Sequence, residues 1–291
     1  MPRRDRSPAS RRAATPRRRA GQKLKPRAAV SSTAGTGPQL IGRDAEREIL
    51  RRVRQSDQSE LVALYGRRRV GKTFLVREIF RDQLVFELTG VHEEALDQQL
   101  ANFSAALGQA TGAAHPLAPP ADWQQAFGQL TNYLETRRAD GKVVVFFDEL
   151  PWLASRRSGF LPALEHFWNA WASRQANVVV VVCGSAASWM IHHVVQHRGG
   201  LHNRITRRMR LEPFTLAETE QFLNSRGVEL DRRQVLELYM AMGGVPHYLK
   251  EVQPGRSAAQ NIDAICFAPA GLLGDEFGNL YASLFEHAER H

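Results

Sequence analysis

Cysteine and long apolar runs are what this sequence has least of. Among 291 residues there are two cysteines, Cys183 and Cys266, far apart and each in an apolar setting. Two distant cysteines give neither a disulfide framework nor a zinc-ligand spacing, which favours a reducing compartment. Val143 to Phe147 and Val178 to Cys183, among the longest apolar runs, are far shorter than the about 20 residues that span a bilayer. They have the length of buried parallel strands.

Acidic residues are nearly absent from the first 37 residues, which contain eleven Arg or Lys and one acid, Asp5. This tail carries a net charge of +10, so the remainder, out of a total of +9, is close to neutral at −1. The tail has few large apolar side chains, so the surface it could bury does not offset the conformational entropy lost on ordering. We therefore predict that the tail is disordered. Two interpretations stay open, a solvated extension and an arm that binds nucleic acid or another polyanion. Since no apolar h-region follows the charges, we predict a cytoplasmic protein with no membrane association.

The most informative stretch runs from Leu61 to Phe80, an apolar strand, a loop with two glycines and an amphipathic helix. Its loop fits the phosphate-binding pattern G-x-x-x-x-G-K-[ST] in every fixed position. The glycines let backbone N–H groups curl around a phosphate, Lys72 reaches the β- and γ-phosphates, and the Thr73 hydroxyl suits Mg²⁺. The flanking strand and helix argue against an accidental match. The predicted nucleotide-binding residues of this P-loop are Gly66, Arg67, Arg68, Arg69, Val70, Gly71, Lys72, Thr73 and Phe74.

The three P-loop arginines are expected to point away from the phosphates and to add only positive potential. The phosphates themselves are expected to be held by the backbone N–H groups and by Lys72, the loop's predicted catalytic cation.

A second motif supplies the carboxylates that P-loop chemistry requires. The buried strand Val143 to Phe147 ends in Asp148 and Glu149, the Walker B arrangement, at the strand end where ligands bind in α/β sheets. We predict that Asp148 holds Mg²⁺, together with Thr73, and that Glu149 is the general base that polarises the attacking water. The alternative is that the two acids merely end a strand and face solvent.

Two further positions, Ser185 and Arg204, are candidates for contact with a γ-phosphate. Ser185 follows the strand Val178 to Cys183 and either senses the γ-phosphate or belongs to an ordinary turn. Arg204, chosen from a set of four nearby arginines, is predicted to contact a γ-phosphate in its own subunit or in a neighbour. A metal site is not predicted for His192, His193, His197 and His202, because no cysteine or acid lies at ligand spacing.

Alternating strands and helices predict an α/β fold, a three-layer α/β/α P-loop NTPase with a parallel sheet of about five strands, followed by helices only. The predicted strands are Leu61–Tyr65, Leu84–Leu88, Val143–Phe147, Val178–Cys183 and Thr206–Leu211. The predicted helices of this part are Asp44–Val53, Thr73–Phe80, His92–Leu107, Asp122–Arg138 and Phe160–Ser173. The predicted domains are the tail (1–37), an ATPase core (38–212) and a helical lid (213–291).

Signals for helix ends recur in the last part of the chain. Thr215 and Glu218 form a capping box, Asp231 caps a second helix, Pro246 opens a further turn, and a last helix is predicted from Gly278.

In combination these motifs resemble the archaeal-type ATPase family, prokaryotic members of the STAND branch of AAA+-related P-loop ATPases. Besides the P-loop, the matching stretches are Ile41-Gly42-Arg43 with Glu46, Phe147 to Leu153, Cys183-Gly184-Ser185 with Met190, Arg204, Leu211 to Phe214, and Gly243 to Pro246. The resemblance implies that the Walker B strand is not adjacent to the P-loop strand. It also implies that the Gly244-Val245-Pro246 turn packs near the adenine and that the segment Leu40 to Arg43, with Ile41 and Arg43, closes over the base from the other side. The alternative for Val245 and Pro246 is an ordinary turn at the start of a helix.

The predicted activity is that of an ATP-binding, Mg²⁺-dependent ATPase that acts as a nucleotide-driven switch. The alternatives are a DNA-associated ATPase that uses the basic tail and a scaffold that binds ATP without hydrolysing it. Family members usually continue into a winged helix and a nuclease-like domain, so this chain is expected to be either a truncated reading frame or a module with separate partners. The partners predicted are ATP, an unidentified protein and further copies of the chain.

Overall fold

A computed structural model describes residues 39–137, 141–196, 201 and 203–274. The five strands are β1 (Glu60–Tyr65), β2 (Leu84–Thr89), β3 (Val143–Asp148), β4 (Val178–Gly184) and β5 (Arg207–Arg210). The helices up to β5 are α1 (Asp44–Gln55), α2 (Lys72–Phe80), α3 (Leu96–Thr111), α4 (Trp123–Thr136), α5 (Leu150–Leu153), α6 (Phe160–Ala170) and α7 (Ala187–Met190). Those after it are α8 (Leu216–Ser225), α9 (Arg232–Met242), α10 (Pro246–Leu249) and α11 (Ala258–Ile262).

The strands form one sheet in the order β2-β3-β4-β1-β5, and every pairing is parallel. β3 and β4 are buried along their whole length, as expected of valine-rich strands covered on both faces. β5 buries only Met209 and lies at the edge. The P-loop strand β1 is separated from β3 by β4, so the expected non-adjacency of the Walker B strand is confirmed. This order brings the carboxyl ends of β1, β3 and β4 together.

Two hydrophobic clusters cover the two faces of the sheet. On one face α3, α4 and α6 pack an aromatic group that includes Phe103, Trp123, Phe127 and Phe160 against β3. On the other face α1 and α2 pack side chains such as Leu50 against the strands. The predicted α/β fold, a parallel sheet flanked by helices, is therefore confirmed.

Residues 213–274, called the helical segment below, contain a third hydrophobic cluster. The Thr215–Glu218 capping box and the Asp231 cap are both present. Gly244 has φ +66°, and a Cβ there would lie 2.2 Å from the carbonyl oxygen of Phe214, whose N–H donates to the Gly244 carbonyl at 2.8 Å. Glycine is therefore required where the start of the segment crosses the α9–α10 turn. The exact domain boundaries stay a prediction.

The predicted elements differ from the observed ones mainly around α3. This helix begins at Leu96 rather than His92, because Glu93 has φ +57° and cannot continue a right-handed helix. It ends at Thr111 rather than Leu107, where Gly112 adopts the left-handed conformation that terminates helices. α5 occupies a stretch predicted as loop, and its Pro151 is tolerated in the first turn.

Two predicted regions, the tail and the last helix from Gly278, lie outside the described residues. Within the described residues, no helix is long and apolar enough to cross a membrane.

Candidate functional site

The P-loop runs from the end of β1 to the start of α2 and is shaped by its first glycine. Gly66 has φ +149°, and a Cβ there would lie 2.2 Å from the Leu211 carbonyl oxygen. The close approach arises because the Leu211 N–H donates to the Tyr65 carbonyl at 2.8 Å, at the edge of the sheet. α2 then begins at Lys72, so its free N–H groups and positive dipole end face the loop. This is a backbone arrangement suited to an anion.

Lys72 lies inside this loop. Its side chain is buried, and its Nζ donates to the carbonyls of Gly66 at 3.0 Å and Arg67 at 2.9 Å. Carbonyl groups are neutral hydrogen-bond acceptors, so these two partners do not compensate the positive charge of the side chain, which fits the predicted contact with phosphate.

Thr73 and Asp148 meet across the carboxyl end of the sheet. The Thr73 hydroxyl donates to Oδ2 of Asp148 at 2.6 Å, and Oδ1 of the same carboxylate accepts from the Glu149 N–H at 2.9 Å. Asp148 is 5% exposed. A hydroxyl and a carboxylate oxygen at this separation are the donor types that Mg²⁺ prefers, so the pair fits the predicted role.

Cys183, on the neighbouring strand, takes no part as a thiolate. It is fully buried, and burial first, then the nearby charge of Asp148, raises the pKa of its thiol well above the ordinary value.

Glu149 is held by Ser185. Its Oε2 accepts from the Ser185 N–H at 3.0 Å and from the Ser185 hydroxyl at 2.8 Å. The contact follows from the sheet order, because β3 and β4 are neighbours and both residues come directly after their strands. Glu149 also has φ +47°, a conformation that costs about 1–3 kcal/mol in a non-glycine residue. The two hydrogen bonds from Ser185, together with this strain, favour a functional role over an ordinary strand end.

The three P-loop arginines point in two directions, which sequence reasoning missed. Arg67 and Arg69 have their guanidinium carbons 6.0 and 5.8 Å from the ring centroid of Tyr248, in α10. Arg68 lies over the ring of Trp152, in α5, at 5.0 Å, and its Nε donates to the Ser185 hydroxyl at 3.4 Å. Arg68 therefore points towards the carboxylates rather than away from them.

Arg43, predicted to close over a base, joins three parts of the structure. It is 4% exposed; its Nη2 donates to the Val70 carbonyl at 3.1 Å, and its guanidinium carbon lies 4.6 Å from the ring centroid of Phe214. Its backbone N–H donates to Oε1 of Glu218 at 2.7 Å. Burial lowers the pKa of Arg43, against the opposing charges of Glu46 and Glu218.

Four other residues, some in the P-loop and some elsewhere in the chain, were predicted to contact the nucleotide. Val70 belongs to the core cluster under α1 and α2, and Phe74 is half-buried in α2. Ile41 is half-buried two residues before Arg43, and Pro246 opens α10, two residues before Tyr248. Contacts of Ile41, Arg43 and Pro246 with a base stay predictions.

Arg204 is not brought to the site of its own chain. It precedes β5, and the Thr206 N–H donates to the Leu61 carbonyl near the start of β1. β5 is parallel to β1, and Thr206 is level with Leu61, about five strand residues of roughly 3.3 Å each before Gly66. Arg204 precedes Thr206 and therefore lies at the amino end of the sheet. The prediction of a contact in its own subunit is wrong on this geometry; a contact in a neighbour stays a prediction.

The predicted histidine set is only partly described. His192 and His193 are exposed, and the His193 ring stacks on Trp189 at 4.7 Å. His197 and His202 lie outside the described residues.

Comparisons with known proteins agree with the family and the fold. Residues 40–252 match the ATPase domain family that occurs predominantly in Archaea. The Walker-type ATPase PABY2304 of Pyrococcus abyssi superposes with a TM-score of 0.55 at 18% identity, covering 86% of this chain and 76% of that one. The ORC2 protein of Aeropyrum pernix, in ADPNP and ADP complexes, superposes with a TM-score of 0.54 at 17% identity, covering 73% and 61%. At these identities the superpositions show the fold.

Among curated proteins, an uncharacterized protein of Methanocaldococcus jannaschii is 21% identical over 214 residues, 74% of this chain and 44% of that protein. The chain thus spans less than half the length of this relative.

Proposed function

The chain belongs to the family of ATPase domains found predominantly in Archaea, and from this premise we propose that it binds ATP with Mg²⁺ and hydrolyses it as a nucleotide-driven switch. The observation that carries the proposal is the convergence of Thr73, Asp148, Glu149 and Ser185 beside a P-loop at one end of the sheet. These are the positioning and electrostatic groups that phosphoryl transfer to water requires.

Each residue of the site has one role in this proposal. Lys72 and the N–H groups at the start of α2 bind the phosphates. Thr73 and Asp148 would hold Mg²⁺, which would supply positive charge to neutralise the phosphate oxygens. Glu149 accepts the proton of the attacking water, and the Ser185 hydroxyl and N–H fix the direction of its carboxylate.

The switch would act through the helical segment, which is in contact with the P-loop. Arg67 and Arg69 lie against Tyr248, and Arg43 connects the Val70 carbonyl with Phe214. A ligand that reorders the P-loop also reorders these contacts, so binding and release of the γ-phosphate would shift the helical segment relative to the sheet.

The test is steady-state ATP hydrolysis with Mg²⁺ by the wild type and by Glu149→Gln. We expect the variant to lose about 10²–10⁴-fold in kcat, the usual contribution of a general base, and to keep its affinity for ATP. Glu229→Gln, at an exposed loop position, is the matched control and should behave as the wild type. Wild-type turnover that persists unchanged in Glu149→Gln would contradict the assignment. ATP binding with no turnover in either protein would favour the non-hydrolysing scaffold.

A second candidate function is that of a DNA-associated ATPase, favoured by the eleven basic residues among residues 1–37. We expect deletion of these residues to abolish salt-sensitive binding to duplex DNA, because each phosphate contact made by Arg or Lys adds about 0.9 to the slope of log affinity against log salt concentration. A salt slope that is unchanged by the deletion would exclude the tail from this role. ATP hydrolysis of the shortened chain is the control for folding.

A further inference from the structure

Arg68 occupies a position that neither its motif nor the family match explains. It is an exposed residue of the P-loop, yet its guanidinium carbon lies 5.0 Å from the ring centroid of Trp152 and its Nε lies 3.4 Å from the Ser185 hydroxyl. The His92 ring packs at 5.5 Å on the same tryptophan. Contact with a ring restricts the orientations of the guanidinium, so the planar fork is held in place before any ligand binds.

The contact with Ser185 places this charge beside the catalytic carboxylate. Ser185 donates through its hydroxyl and its N–H to Glu149, at 2.8 and 3.0 Å. The guanidinium of Arg68 is thus one side chain away from the proposed general base. An attacking water must lie between Glu149 and the γ-phosphorus, so a cation next to Glu149 lies close to the oxygens on which charge develops.

Three other arginines near the P-loop are directed elsewhere. Arg67 and Arg69 lie against Tyr248 in the helical segment, and Arg43 is buried between the Val70 carbonyl and Phe214. Arg204 lies at the opposite end of the sheet. Lys72 is held at the other side of the loop by the carbonyls of Gly66 and Arg67.

We propose that Arg68 is a catalytic residue that supplies, from within the same chain, the positive charge that stabilises the transferring phosphoryl group. The inference rests on the proposed ATP hydrolysis. In that reaction the water oxygen bonds to the γ-phosphorus, its proton passes to Glu149, and the bond from the γ-phosphorus to the bridging oxygen breaks to give ADP and inorganic phosphate. Arg68 keeps its proton throughout and acts by charge and paired N–H donors on the γ-oxygens. Trp152 holds the guanidinium in position.

The first experiment compares the wild type with Arg68→Gln and Arg68→Lys in kcat, in affinity for ATP, and in affinity for ADP with Mg²⁺ and aluminium fluoride, a transition-state analogue. We expect Arg68→Gln to lose about 10²–10³-fold in kcat, less than the 10³–10⁵-fold value of an arginine finger, because Arg68 is exposed and solvent screens its charge. Affinity for the analogue should fall by a similar factor, and affinity for ATP by less than about threefold. Arg68→Lys should recover part of both losses. Arg174→Gln, at an exposed position before β4, is the control.

Three outcomes would overturn the proposal: a kcat within about threefold of the wild type in Arg68→Gln, an equal loss of affinity for ATP and for the analogue, or unchanged affinity for the analogue. The binding measurement separates this proposal from the proposed function. If the wild type turns over and Glu149→Gln does not, hydrolysis is established whatever Arg68 does. If the wild type does not turn over, affinity for the analogue still reports on Arg68, and binding no tighter than that of ADP alone rejects its role.

A mixture of Arg68→Gln and Glu149→Gln tests whether the charge acts within one chain. Each variant lacks one group, so an arginine that acts across a subunit interface would restore hydrolysis where an Arg68→Gln subunit meets a Glu149→Gln subunit. We expect no recovery in the mixture. Recovered turnover would show that Arg68 serves a neighbouring chain and would overturn the assignment.

Discussion

The two ends of the parallel sheet contain the same kinds of residue and differ in what surrounds them. At the amino end Lys142 is buried, and its Nζ donates to the carbonyls of Gln58 and of Ala176, the latter at 2.7 Å. Burial lowers the pKa of Lys142, and the charge of nearby Glu60, itself buried, opposes this. This lysine connects the loop before β1 with the loop before β4 by hydrogen bonds.

At the carboxyl end the corresponding pair is Lys72 and Asp148, which are equally buried. The lysine again donates to two carbonyls, but these belong to a glycine-containing loop that continues into the start of a helix. Next to it Arg69 and Glu149 have positive φ. A buried lysine and a buried carboxylate therefore do not by themselves identify a site. A site is identified when a helix N-terminus, a loop that can accept an anion and a strained backbone occur together with these residues.

Replacing each lysine by alanine should give opposite results, and this is the largest effect expected. Lys72→Ala should weaken ATP binding by about a hundredfold or more, because two or more charge-assisted hydrogen bonds to phosphate are lost. Lys142→Ala should leave the affinity for ATP unchanged and lower the free energy of unfolding by about 1–3 kcal/mol, since buried carbonyls lose their donor. Titration with ATP and denaturation by urea measure the two quantities. If both substitutions weakened ATP binding equally, the assignment of the nucleotide site to the carboxyl end of the sheet would be contradicted.

The carboxylates give a second, smaller contrast. Asp148→Asn should raise the Mg²⁺ concentration needed for half-maximal hydrolysis by about 10–100-fold, the usual cost of losing a group that orients a metal or its waters. Glu60→Gln, which alters the buried carboxylate at the other end of the sheet, should leave this concentration unchanged. If Glu60→Gln raised this Mg²⁺ concentration by the same factor, the effect of Asp148→Asn would be attributed to a change in the fold and not to a lost metal contact.

The sequence predicted the parts of the site that depend on strand ends. Asp148 ends β3, and Glu149 and Ser185 directly follow β3 and β4. Residues at the carboxyl ends of neighbouring parallel strands meet at one end of the sheet, whatever the conformation of the loops. The same rule places Arg204 at the opposite end of the sheet, because this residue precedes its strand, and the prediction of a γ-phosphate contact overlooked it.

The directions of Arg67, Arg68 and Arg69 could not be predicted in this way. They depend on two aromatic rings, Trp152 in α5 and Tyr248 in α10, which lie far from the P-loop in the chain. Sequence spacing carries no information on such contacts. The predicted start of α3 at His92 was wrong for a similar reason. The left-handed conformation of Glu93 is determined by its surroundings and not by its helix propensity.

A substitution at Tyr248 tests whether the contact between the P-loop and the helical segment affects stability alone or also catalysis. Tyr248→Leu removes the ring that faces Arg67 and Arg69 and, because Tyr248 is buried in the core of the helical segment, should lower the free energy of unfolding by about 2–4 kcal/mol through lost packing and two lost cation–π contacts. Tyr248→Phe keeps the ring and should stay within about 0.5 kcal/mol of the wild type. The kcat at saturating ATP should not change in either. A kcat that fell in Tyr248→Leu alone would show that the chemical step depends on this contact.

The smallest effect concerns Glu218, which connects α8 to the segment before α1. Burial raises the pKa of Glu218, but hydrogen bonds from Thr215 and from the Arg43 N–H outweigh it, so the folded pKa lies below the ordinary value. The carboxylate therefore stabilises the fold above pH about 4.3, and this contribution is lost as the pH falls through the lowered folded value. Because Glu218 is partly exposed, solvent screening limits the loss to less than about 1 kcal/mol. Denaturation midpoints of Glu218→Gln should fall less on acidification than those of the wild type, and parallel curves would assign the acid sensitivity to other groups.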